Sequence, residues 1–292
     1  MEQLLDGGKF FEGVRWRDGH WYASDLYEEH VLKITPDGQA EVVAKIAGQP
    51  SGSGWLLDGS MIVSSMLNRQ VMRVSGGEVS LHADVGPLVI NLINDMVVSP
   101  GGHAYVGSFG FDFFGGGQPA PGNIVHVTPD GEASVAAEGL LFPNGMVVSP
   151  DGKTLIAAET FGARFTAYDI AEDGSLSGGR VWGQAGTTPS WDTFESMLNL
   201  DFAPDGCAID AEGCIWVADA LNNRAVRVNE AGEILDQKNG VEGWGLYSVT
   251  LGGADGKTLL ACIAPSFGAE ERKAANEAVL YTYPVDVPSA FA

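Results

Sequence analysis

Apolar residues fall in short runs along nearly the whole chain, each closed by Gly, Pro, Asp or Asn. The stretch Leu140–Thr160, LLFPNGMVVSPDGKTLIAAET, shows the unit. A turn ends in Pro143-Asn144-Gly145, an apolar run covers Met146–Val148, and a second turn is Ser149-Pro150-Asp151-Gly152. Another apolar run, Leu155–Ala158, completes it. Runs this short, rich in Val, Ile and Leu and punctuated by turn residues, predict strands rather than helices. The same hairpin returns at Ala203–Asp219, APDGCAIDAEGCIWVAD, with Asp205 in the place of Asn144.

Six copies can be aligned on their turns: Glu12–Asp25, Ser53–Ser65, Asn94–Ser108, one beginning at Asn144, one at Asp205, and Tyr247–Cys262. Six residues after the turn glycine come Asp25, Ser65, Ser108, Ala158, Asp219 and Cys262, a register that holds through all six. Most copies are followed by a third strand, as in His30–Gly38, Gln70–Gly77, Asn123–Gly131 and Arg224–Gly232, and then by a weaker fourth run such as Ala40–Ala44 or Ala133–Ala136. Four strands in each repeat of about 40–60 residues predict the blade of a β-propeller. The expected architecture is therefore all-β: a six-bladed propeller, four antiparallel strands per blade around a central channel, forming one domain over 1–292. No segment carries sustained helical periodicity; Ala269–Ala278 supports one or two turns at most. The last apolar segment, Ala278–Val285, needs a partner, and Leu4–Phe11 is the obvious one, since closing the ring removes exposed sheet edges.

Two loops interrupt the spacing: Gly110–Gly122, GFDFFGGGQPAPG, and Gly183–Leu198, GQAGTTPSWDTFESML. Insertions in a repeat fold map to surface loops, often on the binding face. Their aromatics Phe111, Phe113, Phe114 and Trp191 are expected either to line or cover a pocket or to plug the mouth of the fold.

The formal net charge is −22, with 38 acidic against 16 basic residues. Such a polyanion is repelled by nucleic acid and by anionic membranes. The start, MEQLLDGGKFFEG, has neither a basic head nor a long apolar core, so no export signal is expected. No apolar run approaches the ~18 residues of a membrane span. Three cysteines, Cys207, Cys214 and Cys262, lack metal-type spacing and point to a reducing, cytoplasmic setting rather than a disulfide scaffold.

In a propeller the first strand of every blade lines the axis, so equivalent repeat positions converge. The residues opening those strands are Glu12, Ser53 or its neighbours, Asn94, Asn144, Asp205, and Tyr247 or Ser248. Two carboxylates and two carboxamides aimed at one axis are costly if dry and unpaired, and like charges raise each other's pKa unless a cation lies between them. An all-oxygen set suits Ca²⁺, Mg²⁺ or Mn²⁺ better than Zn²⁺. Singly, Asn-Gly and Asp-Gly are ordinary turn residues; Asp25 and Asp219 read as caps of the turn into the third strand. Cys207 reads as a small inward-facing residue without a histidine partner. The histidines His20, His30, His82, His103 and His126 show no ligand spacing, and Trp16, Trp21 and Trp216 read as blade packing. No GxSxG elbow is present.

Phe11-Glu12-Gly13 with Trp16, Asn94-Asp95, Phe142-Pro143-Asn144-Gly145 followed by SPDGKTL, and Pro204-Asp205-Gly206 followed by Ile209–Gly213 together carry a resemblance. From about Glu12 to Leu260, the chain resembles the senescence marker protein (regucalcin)/gluconolactonase family of six-bladed propeller lactonases. The resemblance implies that Glu12, Asn144 and Asp205 hold one catalytic divalent metal ion (Ca, Mg, Mn or Zn), that Asn94 contacts substrate near it, and that Asp205 is also the general base. In the sugar-lactonase branch an Arg stands two residues before the Asn-Asp pair; here that position is Leu92, which implies a more apolar pocket, with Phe113, Phe114 and Trp191 as further substrate-binding candidates. The activity implied is a hydrolase opening a lactone or related ester. The alternatives are an organophosphate-type phosphotriester hydrolase and a propeller that holds a metal or small ligand without turnover.

Overall fold

The computed structural model describes residues 1–291 and consists of six four-stranded antiparallel sheets. Their first strands are Phe11–Arg17, Pro50–Trp55, Ile93–Val98, Pro143–Val148, Pro204–Ile209 and Gly245–Gly252. Each packs on the first strand of the next blade, and the sixth returns to the first, so the six close a ring around the axis. Burial explains why some runs read clearly in the sequence and others weakly. Pro143–Val148 is buried at every position, whereas the outer strand Ala133–Leu140 is mostly exposed or half-buried. Apolar clusters fill the spaces between neighbouring blades: Tyr105 and Ile124 of the third blade pack with Met146 and Leu155 of the fourth.

The ends of the chain meet in the sixth sheet. Glu2–Gly8 pairs antiparallel with Ala278–Pro284 as its outermost strand. The expected partner segment Leu4–Phe11 is thus shifted: the closing strand ends at Gly8, and Phe11 already opens the first blade. The only α-helices among the described residues are Phe194–Met197 and Ala269–Ala274, and neither is long enough to cross a membrane. Trp16 and Trp21 pack at 4.4 Å between ring centroids, and Trp216 is fully buried. His103 and His126 hydrogen-bond to one another at 2.8 Å in the third blade.

The register of the repeat needs two corrections, Glu159 for Ala158 in the fourth blade and Ile263 for Cys262 in the sixth. The residue paired with the start of each first strand is Asp25, Ser65, Ser108, Glu159 and Asp219 in the first five blades, so Glu159 and not Ala158 holds the equivalent place in the fourth. The turn there is one residue longer: Ser149 N–H bonds to the Thr154 carbonyl, whereas Ser99 N–H bonds to that of His103. In the sixth blade the pairing is Leu246 with Ile263.

Asp25 and Asp219 do bond into the turn before the third strand, to Glu28 N–H and Asn222 Nδ2, and these second-strand ends have a further structural task. Asp25 accepts from the backbone N–H groups of Lys9 and Phe10, Glu159 from that of Leu141, and Asp219 from that of Ala203. Each acid thereby holds the chain just before it enters the axial strand of its own blade. Asp219 is fully buried and also pairs with Arg224 at 2.8 Å. Asp219→Ala should destabilise the protein by about 3 kcal/mol, because it strands both a buried N–H and a guanidinium. Denaturant unfolding checks this; a change below about 0.5 kcal/mol, the scale of ordinary surface substitutions, would show that the clamp is not needed.

Candidate metal centre and active site

Every first strand carries a β-bulge near its start. From Glu12 to Arg15 the inner strand advances three residues while its partner goes back two, from Ser24 to Tyr22. The same slip occurs at Pro50–Ser53, Ile93–Met96, Pro143–Met146 and Pro204–Cys207, with a shorter version at Leu246–Ser248. A bulge re-aims a side chain that regular alternation would place elsewhere. At each bulge sits a pair, Glu12-Gly13, Ser51-Gly52, Asn94-Asp95, Asn144-Gly145, Asp205-Gly206 and Tyr247-Ser248, with Glu12 and Ser248 at the edges of theirs. The first member of all six pairs lines one cavity of about 130 Å³. The second member is small where backbones crowd. A Cβ on Gly13 would lie 2.1 Å from the Ser51 carbonyl oxygen, and Gly13 has φ +56°, which glycine adopts readily. Pro143-Asn144-Gly145, expected as a turn, therefore lies within a strand.

The polar floor of this cavity is held by a short relay. Asn94 Nδ2 donates to Asn144 Oδ1 at 2.8 Å, Asn144 Nδ2 donates to Thr160 Oγ1 at 3.1 Å, and Thr160 Oγ1 donates to the Pro204 carbonyl at 2.7 Å. Gly13 N–H donates to Glu12 Oε2 at 3.1 Å. Asn144 is thus fixed through both ends of its amide, between the strand that bears Asn94 and the one that bears Asp205.

Electrostatically the floor is overloaded with negative charge. Burial, then the neighbouring Asp205 and Asp95, push the Glu12 carboxyl well above the usual range. Asp205 is also raised well above it, by burial and by Asp95, with Asn144 partly offsetting the effect. Asp95 is itself raised by burial, although the Arg15 guanidinium stands 3.2 Å from its Oδ1 and works against the rise. Arg15 also donates to the carbonyls of Ser53, Val14 and Met96, so it is committed to the backbone beneath. Three carboxylates face one guanidinium. Among the described residues no group of three His, Cys, Asp or Glu side chains forms a metal-type cluster, and the axial set is instead two carboxylates with carboxamides. That donor set fits a hard divalent cation, whose charge would offset the excess.

The wall above the floor also follows the repeat. The residue after each second-strand end, Leu26, Met66, Phe109, Thr160 and Ala220, lines the cavity in the first five blades. Its N–H bonds to the carbonyl two positions before the axial residue: Phe10, Gln49, Leu92, Phe142 and Ala203. Of these, Phe10, Phe142 and Ala203 also line the cavity. Leu92 occupies the same rim position, but its side chain packs into the surrounding apolar cluster and is not part of the lining. Phe113 and Phe114 of the first long loop do line it. Trp191 stands behind the wall, its Nε1 donating to the Phe161 carbonyl at 3.1 Å and its ring packing against Phe111 and Phe161. Phe161, Tyr247 and Phe267 are lining residues that sequence reasoning did not single out as wall. The signal was present for Leu26, Met66 and Phe109, one place beyond the register positions Asp25, Ser65 and Ser108.

A second, larger cavity of about 390 Å³ opens at the other end of the axis. Among the described residues its lining includes Arg15, Arg17 and Cys207 and no acidic side chain. Cys207 is buried and burial pushes its thiol up, away from the reactive thiolate form.

Comparison with known proteins agrees with the fold. Residues 10–264 match the family described as the SMP-30/gluconolactonase/LRE-like region. A 6-deoxy-6-sulfogluconolactonase from Pseudomonas putida is 29% identical over 175 residues, which are 57% of this chain and 52% of that protein. The chain thus aligns with about half the length of this curated relative. Among solved structures, a luciferin-regenerating enzyme superposes with a TM-score of 0.78 at 21% identity, covering 99% of this chain and 96% of that one. A calcium-binding regucalcin from Agrobacterium tumefaciens gives 0.76 at 19% identity, with 99% and 97% covered. A gluconolactonase from Xanthomonas campestris gives 0.71 at 21%, with 98% and 88% covered. At these identities the structural likenesses establish the six-bladed fold.

Proposed function

The chain belongs to the SMP-30/gluconolactonase/LRE-like family, and from that premise we propose that it is a metal-dependent hydrolase that opens lactones. The observation that supports this most is the pair Glu12 and Asp205 at the floor of a largely apolar cavity, with Asp95 and the guanidinium of Arg15 beneath them. Burying that charge without a counter-ion is costly. Glu12, Asn144 and Asp205 would hold one divalent cation. When bound, the cation supplies Lewis-acid polarisation of the ester carbonyl and offsets the developing oxyanion. Asn94, tied to Asn144, orients the lactone ring on the floor. Asp205 takes a proton from the water that adds to the carbonyl carbon. The ring C–O bond then breaks, and the proton held by Asp205 passes to the leaving oxygen, giving a hydroxy acid. The surrounding aromatic wall excludes competing water.

The test is hydrolysis by metal-stripped protein resupplied in turn with Ca²⁺, Mg²⁺, Mn²⁺ and Zn²⁺, read as proton release from lactones and from one phosphotriester. Metal-dependent opening of a lactone is the expected result; metal binding without turnover of any lactone would overturn the reading.

The raised carboxyls also set a pH dependence. Without metal, folded Glu12 and Asp205 hold protons that the unfolded chain has released. Their contribution to stability is present below the ordinary carboxylate range and is lost as pH rises through the raised values. The metal-stripped protein should therefore lose stability as the pH rises above the ordinary carboxylate range, and a divalent cation should restore it there. General self-repulsion in so acidic a chain adds a similar trend, so Glu12→Gln is the control. Melting curves of that variant should show a shallower decline, and an unchanged decline would place the pH dependence elsewhere.

A further inference from the structure

We infer that the substrate is a lactone carrying an apolar alkyl or aryl substituent, and that polyhydroxylated lactones are poor substrates; this rests on the lactonase reading. The polar side chains of the cavity are confined to its floor, and several are already engaged. Asn94 and Asn144 bond to each other, and Thr160 both accepts from Asn144 and donates to Pro204. Above them no Lys, Arg, His, Asn or Gln side chain lines the cavity. Tyr27, Tyr247 and Thr160 excepted, the wall is Phe, Leu, Met and Ala.

The rings of that wall form one connected surface. Phe109 stacks on Phe142 at 4.2 Å between centroids, Phe142 meets Phe161 at 4.8 Å, and Phe113 lies 5.6 Å from both Phe142 and Phe161. On the other side Phe10 packs on Tyr247 at 4.8 Å, and Tyr247 meets Phe267 at 6.5 Å. The two arcs join where Phe113 and Phe267 approach to 6.3 Å. Phe113 lies between the second and third strands of the third blade, and Phe267 between those of the sixth. In a six-bladed ring these blades face each other, so the contact spans the mouth of the cavity. Phe267 stays 42% exposed and Phe114 52%, which leaves apolar rings at the entrance for an incoming substituent to cover.

A hydroxyl pressed against such a surface loses its water without gaining a partner, which lowers binding roughly tenfold for each group left unpaired. An alkyl or aryl substituent has nothing to lose there and gains burial. Specificity then resides in the rings that span the blades rather than in Leu92, which lies outside the lining.

The experiment compares two δ-lactones of the same ring size, one with an alkyl or phenyl substituent and one polyhydroxylated, on protein loaded with the metal that gives the fastest hydrolysis. The expected kcat/KM is at least about 10²-fold higher for the apolar lactone, mainly through KM. Phe267→Ala, at a partly exposed position, should cut that value about tenfold and narrow the ratio between the two lactones. A polyhydroxylated lactone opened as fast as the apolar one or faster would overturn the inference and leave the lactonase reading intact. If the protein opens neither lactone, calorimetric binding of both to Asp205→Asn protein separates the two ideas. Binding of the apolar lactone alone would uphold the apolar preference of the cavity while the lactonase reading falls. Binding of neither, or of the polyhydroxylated one, would overturn the inference as well.

Discussion

Asp205→Asn protein should fold normally, still take up a divalent cation, and open lactones about 10³-fold more slowly than the wild type at saturating metal. The substitution preserves shape, and an amide oxygen remains where a carboxylate oxygen was. What disappears is the carboxylate that takes up the water's proton. Some metal affinity goes with the lost charge, so the decisive comparison is made with excess metal. Glu12→Gln provides the contrast. Glu12 also faces the cavity, but it has no assigned proton transfer; its loss should be felt through occupancy and be largely recovered as metal is added. Should Asp205→Asn recover in the same way, Asp205 would be a ligand only, and the proton would have to be taken elsewhere. A protein that merely held its cation would show no contrast between the two variants.

The architecture was legible because the physical signal repeats. Each blade contributes two well-buried strands and turn residues at fixed intervals, so six weak readings reinforce one another. The axial residues Glu12, Asn94, Asn144 and Asp205 could be chosen for the same reason, as equivalent positions that a ring must bring together, and the structure gathers all four on one cavity. The bulges were hidden because an extra residue in Asn144-Gly145 or Asp205-Gly206 is written in the same letters as a tight turn. The fourth blade was misregistered at Ala158 for a related reason: its longer turn at Ser149–Thr154 shifts the count by one, and only the clamp from Glu159 to Leu141 reveals it. The wall was legible in part. Phe113 and Phe114 stood out in a long loop, whereas Phe161 and Phe267 come from blade connections with no local peculiarity, and Phe267 meets Phe113 only because the ring closes. Leu92 had the right rim position, but the direction of its side chain is decided by packing with residues distant in sequence.

Gly145→Ala should reduce kcat/KM by about 10²-fold while the far-ultraviolet signature of the sheets is retained. The expectation follows from how close two axial strands come. A Cβ on Gly145 would lie 2.3 Å from the Asp205 carbonyl oxygen and 2.8 Å from the Cys207 nitrogen, and real Cβ contacts essentially never fall under 3.0 Å. The obstructing atoms are backbone, so no side chain can swing aside. The fourth and fifth blades must separate locally by at least about 0.7 Å, the difference between 2.3 and 3.0 Å. Asn144 and Asp205 are the immediate neighbours of the two crowded points, so the displacement falls on the polar set itself. The relay from Asn144 through Thr160 to the Pro204 carbonyl crosses the same seam and must stretch with it. Overpacking also costs about 1–3 kcal/mol of stability, so melting has to be followed alongside activity. Gly152→Ala supplies the control in the same blade. Gly152 has φ +72°, but its added Cβ would meet nothing nearer than Pro100 at 3.8 Å. That variant should lose about 1 kcal/mol to backbone strain and keep its activity. Equal losses of stability in the two variants, with activity lost only in Gly145→Ala, would tie catalysis to the spacing of the axial strands. Undiminished activity in Gly145→Ala would mean that the site tolerates the separation, and that the close packing of the bulges serves the fold alone.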